Sequence, residues 1–319
     1  MTSRIFIDGQ EGTTGLQIHD RLRARTDLEL LEIDPERRKD PEAKRAIMSA
    51  ADLVVLCLPD AAAIEAVALA APETRILDAS TAHRVDPDWV FGLPELEAGQ
   101  RDRIRAARRV SNPGCWATGF LLAARPLVDA GILPVDYPIS VHGQSGFSGA
   151  GKKLIQAFAA YDDASPSPPW AVRPYGLELT HKHLPEMQRY ASLAHAPLFS
   201  PSVGRYYQGM LVEIPLHTRA LTKPASRADV HAILRERYAA ERFVRVMPLD
   251  AKDSLEGGYL NATALNGTNM IELFVFGRVE QLLLIARLDN LGKGAAGAAV
   301  QNLNLMLGYP EASGLPTDA

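Results

Sequence analysis

Short apolar runs alternate with amphipathic stretches over the first hundred residues. Residues 4–8 (RIFID) form an Ile- and Phe-containing run that stops at a glycine. Residues 15–25 then carry Leu16, Ile18 and Leu22 at helical spacing. A second strand is predicted at 28–34 (LELLEID), a short helix at 41–50 and a third strand at 52–58 (DLVVLCL). That third run is apolar on both faces, as in a parallel sheet covered on both sides. An Ala-rich helix at 61–71 and a fourth strand at 75–78 (RILD) follow. Strand–helix–strand repetition with short turns predicts a doubly wound parallel sheet.

The pattern changes near Pro113. Residues 115–130 read as an apolar helix with a kink at Pro126, and 137–144 as a strand. The stretch 164–174 has four prolines and reads as an irregular loop. Long β-type runs cover 206–217, 243–248, 270–278 and 281–288, the last two joined by a tight turn as a hairpin. An amphipathic helix is expected at 226–241 with Ser226 as its N-cap. A final Ala/Leu helix is expected at 292–308, stopped by Gly308. The second half therefore predicts a mixed or antiparallel sheet with helices on one face. No internal repeat or low-complexity tail is visible.

Composition narrows the class. The chain has 319 residues, 34 Lys+Arg against 38 Asp+Glu, and a formal net charge of −4. Neither this charge nor the apolar run lengths suit a nucleic-acid or membrane protein. The length predicts about two domains. Two cysteines, Cys57 and Cys115, exclude a disulfide scaffold and fit a reducing, cytoplasmic setting. The N-terminus runs straight into a strand with no signal-peptide pattern.

Four places could carry chemistry. The turn Gly9-Gln10-Glu11-Gly12-Thr13-Thr14-Gly15 follows a strand and opens a helix, the setting in which glycines and free N–H groups cradle a phosphate. Its G-x-x-G-x-x-G spacing is not the usual one. After the second strand, Glu32 and Asp34 suit a ribose 2′-OH (NAD), whereas Arg37 and Arg38 suit a 2′-phosphate (NADP); the arginines favour NADP. Next, Cys115 follows an Asn112-Pro113-Gly114 turn and starts a helix, whose positive end favours a thiolate. Cys57, flanked by Val54, Val55, Leu56 and Leu58, reads as a buried inert thiol. The third place, Thr180-His181-Lys182-His183-Leu184-Pro185-Glu186, offers two candidate acid/base histidines. Zinc is an alternative there, but no third and fourth ligands stand out. The fourth, residues 143–153, reads as a Gly/Ser loop in which Ser145, Gly146 and Lys152 could meet a phosphate or the cofactor. Arg84, in DASTAHR after the fourth strand, could grip a substrate phosphate or carboxylate.

Over essentially its whole length the sequence resembles the short form of the N-acetyl-γ-glutamyl-phosphate reductases, of the aspartate-semialdehyde-dehydrogenase-like superfamily. The resemblance rests on IDGQEGTTGLQI, DASTAHR, SNPGCWATG, SGFSGAGK, THKHLPEM and DNLGKGAAGAAVQNLNLMLG. Thr13 stands where the longer form has an aromatic residue, and Trp116 where Tyr or Phe is common. The resemblance implies Cys115 as nucleophile and His183 or His181 as acid/base, with Glu186 as partner. It implies Gly9, Gly12, Thr13, Thr14 and Gly15 around the NADP pyrophosphate, with Asn290 near the nicotinamide. Arg84, Asn112 and Lys152 would contact an acyl phosphate substrate, with no metal involved. The implied fold is α/β, a Rossmann-type doubly wound parallel sheet domain plus an α+β catalytic domain with a mixed or antiparallel sheet. Residues 1–113 with 291–319 would form the first and 114–290 the second, in a homodimer or homotetramer. The implied activity is NADPH-dependent reduction of N-acetyl-L-glutamyl 5-phosphate to the semialdehyde, in arginine biosynthesis.

Overall fold

The computed structural model describes residues 2–10, 12–159 and 171–317. The chain divides into two compact units, Met1–Pro113 with Ala295–Leu315, and Gly114–Gly294 with Pro316–Ala319.

The first unit begins with β1 (Ser3–Asp8), α1 (Thr13–Arg23), β2 (Leu28–Leu31), α2 (Pro41–Ala50), β3 (Leu53–Leu56) and α3 (Asp60–Leu69). It continues with β4 (Ile76–Asp78), β5 (Val90–Phe91), α4 (Gln100–Ala106) and β6 (Arg109–Ser111). All six strands are parallel, in the order β2-β1-β3-β4-β6-β5. Phe6, Val54, Leu56 and Ile76 pack with Met48 of α2 and with Ala63 and Ala66 of α3. Their neighbours Ile5, Ile7, Val55 and Leu77 alternate to the other face and are also buried. Chain order reverses between β1 and β3, and in such sheets ligands bind beyond the carboxyl ends at that switch point. The glycine turn stands there.

Two expectations change here. The second strand stops at Leu31, because Pro35 opens a 3₁₀ turn and Asp34 accepts the Glu36 N–H at 3.0 Å. Strands β5 and β6 and helix α4 were not expected. Strands of two and three residues are too short to show alternation.

The second unit holds α5 (Cys115–Asp129), β7 (Ser140–Gly146), α6 (Lys152–Ala159), β8 (Val172–Pro174), α7 (Leu184–Tyr190) and β9 (Leu198–Gly204). Then come β10 (Met210–His217), α8 (Arg227–Arg237), β11 (Val244–Val246), β12 (Ile271–Arg278) and β13 (Gln281–Leu288). They form one mixed sheet in the order β11-β12-β13-β10-β7-β9-β8. β12 and β13 make the expected hairpin, paired from Ile271–Leu288 to Arg278–Gln281. The proline-rich stretch is described only from residue 171, where β8 replaces the expected loop; residues 164–170 lie outside the described residues. Ser226 caps α8 as expected, in a capping box with Asp229.

Helix α5 lies on this sheet. A Cβ at Gly119 would come within 2.6 Å of Val212 on β10, so only glycine lets the two approach. Pro126 stands inside α5. Its missing N–H deprives the Leu122 carbonyl of its helical donor, and the buried Tyr238 hydroxyl donates to that carbonyl at 2.7 Å. Past β13 the expected single helix over 292–308 is two elements. Gly294 N–H reaches back five residues to Asp289 O at 3.0 Å, which makes Gly292–Ala296 a π-helical turn. Helix α9 (Gly297–Leu307) follows, packs on α1 and α4, and ends at Gly308 with φ 78°.

Candidate active site

Three glycines shape the turn after β1, for two different reasons. Gly9 has φ +89°, and a Cβ there would stand 2.4 Å from Cys57 O. A Cβ at Gly15 would stand 2.4 Å from Gly9 O. Both are required by the chain's own packing. At Gly12 the nearest atom would be 3.5 Å away, an ordinary contact. Gly12 is the exposed N-cap of α1 and leaves the first-turn N–H groups without a side-chain cap. Such groups suit an anion, so the turn fits a dinucleotide pyrophosphate. Thr14 is half-buried in the first turn; the Thr13 side chain lies outside the described part.

Beyond β2, Arg37 is exposed and grips Asp40 at 2.7 Å, while Asp40 also caps α2. That hydrogen bond holds the Asp40 carboxyl below its ordinary range. Arg38 stands beside it, half-buried. At the carboxyl end of β1, Lys44 pairs with Asp8 at 2.8 Å.

The second constellation lies within the second unit. Cys115 is the first residue of α5, with Gly114 as an extended N-cap at φ −79° and ψ 151°. The dipole at that end favours a thiolate. Glu186 is 1 % exposed. Its Oε2 accepts the Gly114 N–H at 3.1 Å, and its Oε1 stands 4.0 Å from His183 Nε2. One carboxylate thus anchors the residue before the thiol and faces an imidazole. The sequence places it so: His183 caps α7, and three residues on a helix share a face. His181 Nδ1 accepts the His183 backbone N–H at 3.2 Å, so neutral His181 carries its proton on Nε2. The two rings meet edge to face at 4.8 Å.

Trp116 Nε1 donates to Tyr175 Oη at 3.0 Å. Phe199 meets both Trp116 and His181 edge-on, at 5.2 and 5.0 Å. The π-helical turn passes the thiol closely: a Cβ at Gly294 would stand 2.7 Å from Cys115 Cβ. Asp289 braces this turn, accepting the N–H groups of Leu291 and Gly267 at 2.8 Å each and a bond from Gln208. A π-helical turn beside a reactive group is a recurrent functional device. Tyr175, Asp289 and Gly294 were missed in the sequence. The glycine spacing of DNLGKGAAG signalled a close approach there; Tyr175 carried no signal.

Cys57, expected to be buried, is half-buried. Loss of water around it, then the charges of Asp78 and Asp8, push its thiol up to about 12. Neither cysteine is in a disulfide.

Other residues expected at ligand contacts have hydrogen bonds within the chain. Residues 143–146 are not a loop: β7 runs through Gly146, and a 3₁₀ turn, Phe147–Ala150, follows. The N–H groups of Gly146, Phe147 and Ser148 go to the carbonyls of Gly209, Tyr206 and Tyr207, each at 2.9 Å. Ser145 Oγ donates to Gly146 O at 3.2 Å. The donors expected of Ser145 and Gly146 are therefore spent within the chain. Arg84 is buried, and its Nε donates to Asn112 O at 3.0 Å. Asn112 in turn donates to Ala295 O at 3.1 Å and accepts from Asn302 at 3.1 Å. Both residues brace the loop that leads to Cys115. Asn290 accepts the Gly209 N–H at 2.8 Å and donates to Ser148 Oγ at 2.9 Å. Lys152 opens α6, and its side chain lies outside the described part. Among the described residues, no group of three or more His, Cys, Asp or Glu side chains could hold a metal ion. Nor is any described helix long and apolar enough to cross a membrane.

Known proteins align with both units. A family model described as semialdehyde dehydrogenase, NAD binding domain, matches residues 6–106. A second, semialdehyde dehydrogenase, dimerisation domain, matches residues 115–290. The N-acetyl-gamma-glutamyl-phosphate reductase 2 of Nostoc sp. is 49% identical over 98% of this chain and 99% of its own. The N-acetyl-gamma-glutamyl-phosphate reductase of Brucella ovis is 50% identical over 97% of this chain and 100% of its own. Aspartate semialdehyde dehydrogenase from Francisella tularensis shares the fold with a TM-score of 0.71 at 13% identity, covering 96% of this chain and 100% of its own. Aspartate semialdehyde dehydrogenase II from Vibrio cholerae gives a TM-score of 0.68 at 18% identity, covering 96% and 99%. The chain belongs to the N-acetyl-gamma-glutamyl-phosphate reductases of the semialdehyde dehydrogenase family.

Proposed function

We propose that the chain reduces N-acetyl-L-glutamyl 5-phosphate to N-acetyl-L-glutamate 5-semialdehyde, through a thioester on Cys115, as a step of arginine biosynthesis. The observation that carries this is the Cys115 helix start, anchored through Gly114 to a buried Glu186 that faces His183. The Cys115 sulfur attacks the acyl carbon, the carbon–oxygen bond to phosphate breaks, and inorganic phosphate leaves. Dividing one hard step into two lowers each barrier. A bound reduced nicotinamide dinucleotide supplies the hydride that the thioester carbon requires. Breaking the carbon–sulfur bond then frees the aldehyde and restores the thiolate. His183 holds or releases the proton these steps exchange, with the Glu186 carboxylate beside it.

Gly9, Gly12, Thr13, Thr14 and Gly15 would hold the pyrophosphate. Arg37 and Arg38 favour NADP, since a fixed guanidinium suits a 2′-phosphate. Gly12→Ala and Gly15→Ala separate binding from folding. Gly15→Ala is expected to melt at clearly lower temperature, because its Cβ meets backbone at 2.4 Å. Gly12→Ala is expected to melt normally and bind NADPH about tenfold or more weakly, since the added methyl displaces the phosphate. Thermal melts and a fluorescence titration check both.

A homodimer is the reading for the second unit. Leu211, Glu213, Pro215 and His217 of β10, with His142 and Gln144 of β7, occupy a sheet face that is not fully buried. The cytoplasm, a reducing compartment, would keep the thiol available.

The deciding assay is phosphate-dependent reduction of NADP, with NAD in parallel, using N-acetylglutamate semialdehyde and aspartate semialdehyde. A preference for N-acetylglutamate semialdehyde with NADP is expected. A preference for aspartate semialdehyde would overturn the substrate, and equal use of NAD the cofactor.

A further inference from the structure

The contact between Trp116 and Tyr175 has a direction that chemistry dictates. An indole nitrogen is a donor only. In the 3.0 Å bond Trp116 therefore donates and Tyr175 Oη accepts. The hydroxyl hydrogen of Tyr175 has to leave its oxygen along another line. Trp116 directly follows Cys115, so this bond ties the phenol to the first turn of the helix that carries the thiol. The Tyr175 backbone is fixed as well, its N–H bonded to Pro201 O at 3.0 Å. Its ring lies 5.8 Å from that of His181. Burial, and after it the charge on Cys115, push the phenol above its ordinary value, against a smaller opposite effect of the Trp116 bond. Tyr175 thus stays protonated, and it feels the charge state of the thiol.

We propose that Tyr175 is a further catalytic residue, whose hydroxyl, held at its oxygen by the Trp116 indole, donates a hydrogen bond to the reacting centre at Cys115. It meets the thiolate first, and then the oxygen that gathers negative charge at the thioester carbon. Trp116 is the positioning residue. The proposal rests on Cys115 being the nucleophile.

The test uses the full-length protein with Tyr175→Phe, Trp116→Phe and the double variant; His181, His183 and Glu186, the other titratable groups of the site, stay intact. Iodoacetamide alkylation of Cys115, followed by mass spectrometry across pH, needs no substrate. Tyr175→Phe is expected to raise the alkylation midpoint by about one pH unit, because a donor to the charged form is lost. Its kcat is expected to fall about 10²-fold, the scale of one lost oxyanion donor. Trp116→Phe should fall between Tyr175→Phe and the parent. The double variant removes the indole N–H that Tyr175→Phe orphans, and is expected to stay as slow as Tyr175→Phe. An unchanged midpoint and kcat in Tyr175→Phe would overturn the proposal. So would recovery in the double variant, which would trace the loss to the orphaned indole. A parent Cys115 that alkylates no faster than Cys57 would overturn the nucleophile reading, and this proposal with it.

Discussion

Cys115→Ser is expected to lower kcat by about 10⁴- to 10⁶-fold, the scale on which loss of a covalent nucleophile is felt. The magnitude follows from what a helix start can do. The dipole contributes about 0.3–2 kcal/mol to a charge at that place, which is roughly one pKa unit. A thiol near 8.5 gains a working thiolate fraction from such help. An alcohol, which ionises far higher, gains nothing useful. Serine keeps the shape, the Gly114–Glu186 bond and the close pass of Gly294, so the fold and dinucleotide binding should survive. Steady-state turnover with phosphate and N-acetylglutamate semialdehyde measures the first point, and a titration with NADPH the second. Cys57→Ala is the control. Its thiol is held protonated at about 12, and its turnover should match the parent. A Cys115→Ser protein with near-parent turnover would exclude the thioester route.

Local features were legible in the sequence, and distant ones were not. The strand–helix alternation, the Pro-Gly turn before Cys115, the Ser226 cap and the β12–β13 hairpin each lie within a few residues. Periodicity and turn chemistry report on that range. The bond from Gly114 to Glu186 spans 72 positions, and no local pattern carries it. Residue type names a donor and not what it holds. Arg84 and Asn112 have the groups that grip phosphates, and both also bond within the chain, Arg84 to the Asn112 carbonyl and Asn112 to the Ala295 carbonyl and the Asn302 side-chain amide. Donor chemistry is the same whether it holds a ligand or a loop, and only the partner decides. Ser145 and Gly146 fail as a loop for a related reason. β7 pairs on both sides, with β10 and β9, so the Gly/Ser composition serves close packing there: a Cβ at Gly146 would stand 2.5 Å from Tyr207 O.

His183→Ala is expected to lower kcat by about 10²- to 10⁴-fold, the usual worth of a placed acid/base group, and His181→Ala by clearly less. The two histidines sit in different surroundings. His181 spends Nδ1 on the His183 backbone N–H at 3.2 Å, so it holds the turn that presents its neighbour. His183 faces the Glu186 carboxylate at 4.0 Å, a setting that supports a positive imidazolium when a proton arrives. Glu186 separates orientation from charge. Glu186→Gln keeps an oxygen for the Gly114 N–H and removes the charge beside His183; it should fold normally and lose turnover. Glu186→Ala also leaves a buried N–H unmet, which costs about 1–3 kcal/mol, so it should lose thermal stability as well. Steady-state kinetics and melts on the four variants distinguish these outcomes. If His181→Ala proved the slower of the two histidine variants, the roles would be reversed. The carboxylate would then act on the thiol through Gly114 alone, and Glu186→Gln, which keeps that bond, would run at the parent rate.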